Sequence, residues 1–252
     1  MATRHDEELR AAFDGQAERF ERAPVQSDPA LLARLVAFAA LPAGAKVLDA
    51  GCGPGLVSEA LLAAGHEVHG VDLSGEMIRR ARSRCASFGM RARFEQGALH
   101  ELPLAPPYDA AASRYLVHHF EDPQALVRRQ AELVRPGGVV VASVHVADPE
   151  PARARWHAEI ELARDVTHVR NLTSGELADA FARAGLAHVT LAEEDLDLDF
   201  DEWFDRGTPR VAKEEVRRML LAGRARGFDP APAAGGRITV HAIRALVRGQ
   251  RR

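Results

Sequence analysis

The sequence predicts an α/β protein with a doubly wound, mostly parallel sheet of seven strands, preceded by helices and carrying an inserted helical cap. Two observations support this prediction. From residue 46 onward, short apolar runs alternate with segments in which apolar residues recur at helical spacing. Beyond residue 146 the alternation gives way to a stretch rich in charge and histidine, which favours a cap on the same domain.

The helices ahead of the sheet are indicated by their spacing and by a capping signal. Residues 5–22 place Phe13 and Phe20 on one helical face. Asp28 and Pro29 supply a capping residue and a first-turn proline for a second helix. Because no stretch resembles a linker, we expect one domain in four segments: a helical cover (1–44), a core that binds the ligand (45–146), a cap segment with a helix (147–186), and strands and a helix that complete the sheet (187–252).

The elements of the sheet follow from apolar runs bounded by turn residues. Five strands are predicted in the core, at 47–50, 67–72, 92–96, 108–113 and 139–146, with helices between them. After the core we expect a helix at 174–184, a strand from residue 186, a helix near 209–222 and a last strand at 237–247. In residues 195–201, Leu196, Leu198 and Phe200 alternate with aspartates, which predicts a strand with one apolar and one solvated face.

The turn after the first strand lets a ligand approach the backbone. In VLDAGCGPG (residues 47–55), three glycines carry no Cβ and a proline stiffens the turn. The next helix points its free N–H groups at the carboxyl edge of the sheet, where open α/β folds bind ligands. The spacing G-x-G-x-G differs from the dinucleotide fingerprint G-x-G-x-x-G, and the Lys-Ser/Thr of a P-loop is absent.

Two acidic residues indicate the chemistry of that ligand. Asp49 precedes the glycines, where it would repel a pyrophosphate and attract an ammonium group. Asp72 ends the second strand, where a carboxylate can accept both hydroxyls of a ribose. A nucleoside that carries positive charge fits this pair, and S-adenosylmethionine has an ammonium, a sulfonium and a ribose.

Four segments in the right order resemble the successive motifs of class I S-adenosylmethionine-dependent methyltransferases, which have a Rossmann-like fold. They are VLDAGCGPG, VHGVDLSGEMIRRAR, YDAAASRYLVHHFEDP and LVRPGGVVVAS. The likeness covers residues 12–146 and points to the bacterial group around the ubiquinone and menaquinone biosynthesis methyltransferases. Residues 164–186 also resemble a branch of that group. The resemblance implies S-adenosyl-L-methionine as cofactor and S-adenosyl-L-homocysteine as product.

The resemblance also implies a cofactor site, position by position. Its residues would be Gln16 and Phe20 on the covering helix, Asp49, Gly51, Cys52 and Gly53 around the methionine moiety, Asp72, Leu73 and Met77 around ribose and adenine, Gly97, Ala98 and Leu99 after the third strand, and Ser113 and Arg114 near the sulfonium. One position departs from the family. Where relatives commonly carry an aspartate that accepts from the adenine amino group, this chain has Ala98. Loss of one neutral hydrogen bond, roughly 0.5–1.5 kcal/mol, would weaken binding several-fold.

Histidines are the candidate bases for methyl transfer. His118 and His119 follow the fourth strand. Adjacent residues cannot share a helical face, so packing is favoured for His119, while packing and catalysis are equally compatible with His118. His145 ends the fifth strand at the same edge and is a further acceptor-site candidate.

A polar cluster in the cap segment is the candidate acceptor pocket. Asp165, His168 and Arg170 lie between the fifth strand and the next helix, with His168 as base or orienting donor. A solvated helix end explains the same three residues equally well, because charged side chains are mostly exposed.

Composition excludes several classes of partner. The formal charge of −3 lacks the basic excess of nucleic-acid-binding domains. Cys52 and Cys85 are too few for a disulfide framework or a zinc site, and the histidines lack metal-ligand spacing, so no metal is expected. Because residues 29–45, the longest apolar stretch, contain Arg34 and Pro42, we expect no membrane span and a cytoplasmic protein. The oligomeric state stays open, with a homodimer as one arrangement.

The main hypothesis is methyl transfer to a small molecule, apolar or aromatic in character, by in-line displacement. Such a reaction needs alignment, exclusion of water and, for some acceptors, removal of a proton. Whether oxygen, nitrogen or carbon accepts the methyl group is left open. Two alternatives remain: an enzyme that uses the cofactor for cyclisation or elimination, and a regulatory module that binds it without turnover.

Overall fold

Eight strands form one sheet in the computed structural model, which describes residues 4–101 and 107–252. The strands are β1 (Lys46–Ala50), β2 (Glu67–Asp72), β3 (Ala92–Gln96), β4 (Tyr108–Arg114), β5 (Val134–His145), β6 (Leu186–Asp199), β7 (Phe228–Pro232) and β8 (Ile238–Arg251). The order is β3-β2-β1-β4-β5-β8-β6, and β7 pairs with β8 beside this path. The first five strands pair in parallel, whereas β8 runs antiparallel to β5, β6 and β7.

The predicted α/β class is confirmed, with one strand more than expected. The seven strands of the main path correspond to the predicted sheet. The eighth, β7, has the sequence FDPAP, and two prolines in five residues hid it, because proline is confined to edges and irregular pairings in sheets.

Ten α-helices surround the sheet within the described residues. They are α1 (Arg4–Arg22), α2 (Pro24–Ser27), α3 (Pro29–Ala39), α4 (Leu56–Ala63), α5 (Gly75–Arg84), α6 (Pro123–Leu133), α7 (Pro151–Arg164), α8 (Ser174–Arg183), α9 (Phe200–Asp205) and α10 (Lys213–Leu221). The predicted capping residue Asp28 accepts from two backbone N–H groups of α3, and Ser74 accepts from the Met77 N–H of α5. No helix among these residues is long and apolar enough to cross a bilayer.

The sheet is buried on both faces, as a parallel sheet requires. Val47 of β1 packs into one apolar cluster with α3, α4 and α5, while the next residue, Leu48, packs into another with α6 and α8. Successive side chains of a strand point to opposite faces, so the continuous apolar run of β1 serves both layers. The carboxyl ends of β1, β2 and β4 are thereby held at one rigid edge.

The cap segment has a core of its own. Helices α7, α9 and α10 pack with β7 and the first half of β8 around Trp203 and Phe228. Leu196 and Leu198 of β6 are buried in this cluster, as the alternation predicted, but Phe200 begins α9 and does not continue the strand. The Trp156 indole N–H donates to the Met219 carbonyl at 3.2 Å, which anchors α7 to α10.

Candidate functional site

A cavity lies at the carboxyl ends of the parallel strands, beneath α1. Its walls come from the glycine turn after β1, the ends of β2 and β4, the segment after β3, and α1. Most of the predicted cofactor residues line it: Phe20, Asp49, Gly51, Cys52, Gly53, Asp72, Leu73, Met77, Gly97, Ala98, Leu99 and Arg114. We call it the first cavity.

Two predicted cofactor residues lie elsewhere. Ser113 is fully buried and does not line the first cavity, because successive side chains of a strand point to opposite faces and its neighbour Arg114 takes the face that lines the cavity. Gln16 is buried under the cap and donates from Nε2 to Thr208 Oγ1 at 2.8 Å. A helix presents different residues to different neighbours, and this position of α1 faces the cap rather than the glycine turn.

The glycine turn and the end of β2 are joined by hydrogen bonds. The Gly53 N–H donates to one carboxylate oxygen of Asp72 at 2.8 Å, and the Ser74 N–H donates to the other at 2.9 Å. Gly55 has φ +83°, and a Cβ there would lie 3.0 Å from the Cα of Ala81 in α5. This turn therefore needs glycine both for its conformation and for its packing.

The two predicted acids are poised close to neutral pH. Asp49 is 1% exposed, and its carboxylate accepts from Ser58 Oγ at 2.6 Å. Burial raises the pKa of Asp49 to about 7 and that of Asp72 to about 6. A cation beside them would favour the ionised forms, so both carboxyl groups are suited to a positively charged ligand.

Helix α1 is fastened over the first cavity by charged and polar contacts. Glu21 pairs with Arg80 at 2.5 Å and with Arg84 at 2.6 Å, both on α5. Asp14 accepts from Ser74 Oγ at 2.5 Å. The helix thereby holds the ring of Phe20 against the cavity.

A second cavity adjoins the first, between α1 and the cap. Four of the predicted acceptor residues line it: His118, His145, Asp165 and His168. Arg170, the fifth, does not. It is exposed, and its ion pair with Glu176 of α8 at 2.9 Å keeps its side chain outside the cavity.

Four residues line both cavities: Phe13, Phe20, Tyr115 and His119. Tyr115 has φ +53°, which is uncommon for a residue with a bulky side chain and is found where structure or function over-determines the backbone. Its ring stacks on His145 at a centroid distance of 4.7 Å. The Tyr115 hydroxyl is buried and has no hydrogen-bond partner among the described residues.

The second cavity combines polar side chains with the aromatic rings of Phe13, Phe20 and Trp203. Burial lowers the pKa of His145 to about 3 and that of His168 to about 4, and it holds the pKa of His118 well below its usual value. These rings are therefore neutral at pH 7. Within the described part of the chain, Nδ1 of His118 and His145 and Nε2 of His168 are buried without partners, and unpaired buried polar atoms are costly unless a ligand satisfies them.

Charged residues that the sequence analysis missed complete this cavity. Glu161 and Arg164 of α7 form an ion pair at 3.3 Å, and Arg206 after α9 is buried beside Glu202. Burial opposes ionisation of Glu161, but its neighbours His157, His168 and Arg164 together hold its pKa well below the usual value. In the sequence, these two residues of α7 show only as opposite charges three positions apart. Such pairs are far commoner on solvated helix surfaces than in buried cavities.

Comparison with known proteins identifies the family. A family model described as a methyltransferase domain matches residues 22–191. The chain belongs to this methyltransferase family. It is an S-adenosylmethionine-dependent methyltransferase, and the resemblance seen in its motifs is confirmed.

Relatives cover the chain to different extents. The uncharacterized methyltransferase YcgJ of Bacillus subtilis (strain 168) is 28% identical over 207 residues, 81% of this chain and 82% of that protein. Its crystal structure superposes with a TM-score of 0.78 over 88% of this chain and 97% of that one, at 27% identity. A ubiquinone biosynthesis O-methyltransferase of Xanthomonas axonopodis pv. citri is 36% identical, but only over 40% of this chain and 44% of that enzyme.

A more distant structure shares the fold. Geranyl diphosphate C-methyltransferase of Streptomyces coelicolor A3(2), solved with S-adenosyl-L-homocysteine bound, superposes with a TM-score of 0.66 over the whole of this chain and 99% of that one, at 15% identity. Among the residues that the structure describes here, no three histidine, cysteine or carboxylate side chains are grouped to hold a metal ion.

Proposed function

We propose that this methyltransferase binds S-adenosylmethionine in the first cavity and methylates a small molecule held in the second. The observation that carries the proposal is the junction of the two cavities at Tyr115 and His119. One cavity offers paired acids and apolar walls, the other offers neutral imidazoles and an ion pair, and methyl transfer requires contact between two such compartments.

The residues of the first cavity suit the cofactor. We assign the ribose hydroxyls to Asp72, whose carboxylate is already oriented by two backbone N–H groups. Asp49 would attract the ammonium group, and Leu73, Met77 and Leu99 give the adenine an apolar slot. Ala98 lines the same slot and accepts no side-chain hydrogen bond, so the adenine amino group must rely on other partners.

The protein's part in the reaction is binding, alignment and exclusion of water. The cofactor supplies an electrophilic methyl group on a sulfonium. Helix α1, held by Glu21, covers the first cavity, and the cap covers the second. The unpaired ring nitrogens of His118, His145 and His168 would orient the acceptor by hydrogen bonds.

We propose oxygen as the accepting atom. Phe13, Phe20 and Trp203 form aromatic walls of the second cavity, while its imidazoles supply both donors and acceptors for a hydroxyl group. The name O-methyltransferase, carried by a relative that is 36% identical over 104 residues, supports this choice.

The test follows the methyl group. The protein is incubated with methyl-tritiated S-adenosylmethionine and a panel of hydroxylated small molecules, and the products are separated. We expect label in an acceptor together with an equal amount of S-adenosylhomocysteine. We also expect His168→Ala to lose at least about tenfold in turnover, or ~1.4 kcal/mol of barrier. Arg170→Ala, a change outside the cavity, serves as the control.

Two results would rule the proposal out. Methylthioadenosine in place of S-adenosylhomocysteine would mean cyclisation or elimination chemistry. Tight binding of the cofactor without turnover on any acceptor of the panel would favour a regulatory module.

A further inference from the structure

Among the residues shared by the two cavities, His119 carries a basic atom with no assigned partner. Its Nδ1 lies 2.8 Å from the backbone carbonyl oxygen of Thr167. A carbonyl oxygen only accepts, so Nδ1 must carry the hydrogen, and Nε2 of a neutral ring then carries a lone pair. Within residues 4–101 and 107–252, no hydrogen bond to this Nε2 is present, and His119 lines both cavities.

The carbonyl that fixes this tautomer is itself held in place. The Asp165 carboxylate accepts from the Thr167 N–H at 3.0 Å and from Thr167 Oγ1 at 2.8 Å. Two residues after Thr167, the Val169 N–H donates to the His118 carbonyl at 2.9 Å. The loop after α7 and the turn after β4 therefore form one hydrogen-bonded unit, and the ring of His119 is oriented before any ligand binds.

The surroundings keep His119 neutral. Burial lowers its pKa, and the hydrogen bond to Thr167 offsets only part of this effect. The ionisable groups that face it are His118, His168, Asp165, Arg164 and Glu161. At pH 7 the ring is therefore an unprotonated base.

We infer that Nε2 of His119 accepts the proton of the methyl acceptor, and that the acceptor presents an acidic hydroxyl group, a phenol or an enol. The inference rests on the function proposed above. In this step the O–H bond breaks and its proton bonds to Nε2, while oxygen uses an electron pair for the new bond to the methyl carbon. The electron pair of the broken methyl–sulfur bond stays on sulfur, and the imidazolium later releases its proton to water.

The strength of the base selects the acidity of the acceptor. A phenol such as that of tyrosine has a pKa of about 10, whereas bulk water, which is similar to an aliphatic alcohol, lies near 15.7. An imidazole with a pKa below about 6.5 is mismatched to a phenol by a few pKa units and to an alcohol by roughly nine or more. The aromatic walls of the second cavity, Phe13 and Trp203 among them, also suit a planar acceptor.

His119→Asn is the matched variant, because the Asn amide can still donate to the Thr167 carbonyl while the basic nitrogen is lost. His241→Asn, at an exposed pair with Asp197, is the control. The first measurement is ¹⁵N NMR of the imidazoles in the full chain saturated with S-adenosylhomocysteine, with 4-nitrophenol then added as probe. We expect a ring signal with protonated Nδ1 and bare Nε2 that is present in the wild type and in His241→Asn and absent in His119→Asn. The Nε2 resonance of this ring should move when 4-nitrophenol binds.

Kinetics complete the test. With any phenol that the wild type methylates, we expect His119→Asn to lose about a hundredfold in turnover, the lower range of general-base catalysis, with cofactor affinity unchanged within twofold. Turnover within threefold of wild type, a ring protonated at Nε2, or a signal indifferent to 4-nitrophenol would each overturn the inference and leave the proposed function standing. A wild type that binds no S-adenosylmethionine would instead refute the proposed function.

Discussion

Asp49 and Asp72 show how single residues prepare the first cavity for a cation. Asp49 is buried and Asp72 is partly buried at the cavity, and burial raises the pKa of Asp49 to about 7 and that of Asp72 to about 6. Among the described residues, neither carboxylate forms an ion pair with a basic side chain. Their charge is available to a ligand, which distinguishes them from the acids that fasten α1.

Cofactor binding should therefore depend on pH in one direction. Below about pH 6 both carboxyl groups hold protons, and as pH rises through about 6 and 7 they ionise and attract the cationic cofactor. We expect the affinity for S-adenosylmethionine to rise from pH 5.5 to 8 and then level off. In Asp49→Asn we expect the increase in affinity near pH 7, which comes from ionisation of Asp49, to be missing. Calorimetry across this range checks it, and an affinity independent of pH would contradict the assignment of both acids.

Residues at strand ends could be predicted from the sequence, whereas residues placed by distant contacts could not. Asp49 and Asp72 follow apolar runs directly, so the topology of the sheet fixes their position. The tautomer of His119 depends on a carbonyl 48 residues away, and no local pattern encodes that contact. The position of Gln16 likewise depends on Thr208, which is 192 residues away.

At the scale of elements, α4 is flanked by two glycines, Gly55 at its start and Gly65 after its end. Gly55 and Gly65 both have positive φ, but only Gly55 is packed against a neighbouring helix. A side chain at Gly65 meets open space. The two glycines therefore separate backbone strain from steric conflict.

We expect Gly65→Ala to lower the free energy of unfolding by about 1–2 kcal/mol, the cost of a left-handed conformation for a residue with a Cβ. Gly55→Ala should cost distinctly more, because its Cβ would also press on the Cα of Ala81, which is backbone and cannot rotate away. Urea denaturation measures both. Equal losses would mean that the contact with α5 relaxes freely.

The contact of α1 with α5 should be separable from the stability of α1 itself. Glu21 bridges to Arg80 and Arg84 on α5, whereas the ion pair of Glu18 among the described residues is with Arg22 of α1 itself. We expect Glu21→Gln to reduce the free energy of unfolding by about 1 kcal/mol and to speed tryptic cleavage within α1. Glu18→Gln is the control and should change neither. Equal rates of cleavage in both variants would mean that the ion pairs of Glu21 do not hold α1 against α5.

Two elements, β7 and α9, were not predicted from the sequence, and the physical reason is the same for both. The strand β7 contains two prolines, and α9 follows directly on β6, so the alternating pattern of residues 195–201 continued into a helix. Both elements are stabilised by burial in the cap cluster around Trp203 and Phe228. Tertiary packing overrode local preference there, as it commonly does for short segments.

At the scale of the whole molecule, the last strand, β8, contacts helix α3 from the first part of the chain. Arg244 of β8 is fully buried, pairs with Glu194 of β6 and donates to the Leu31 carbonyl of α3 at 3.2 Å. Together with the continuous sheet, this contact supports our proposal that the chain forms one domain.

Arg244→Met should destabilise the whole molecule and not the C-terminal strands alone. Removing one partner of a buried ion pair costs about 3–5 kcal/mol, and we expect the lower end because Glu194 keeps Arg34 at 2.9 Å. Urea unfolding followed by tryptophan fluorescence and by circular dichroism should shift together in a single transition. Arg237→Met, at an exposed pair, is the control. Separate transitions for the two probes would contradict the single domain.

The central claim is that the first cavity holds S-adenosylmethionine through the acid at the end of β2. The measurement is calorimetric titration of S-adenosylmethionine into the wild type, Asp72→Asn and the control Glu67→Gln. The control changes an exposed acid at the opposite end of the same strand. Thermal unfolding checks that each variant is folded. We predict that wild type and Glu67→Gln bind alike and that Asp72→Asn binds at least about tenfold more weakly, since hydrogen bonds to a charged group contribute about 1.5–3 kcal/mol. Wild type that does not bind the cofactor, or folded Asp72→Asn that binds as tightly as wild type, would contradict the claim.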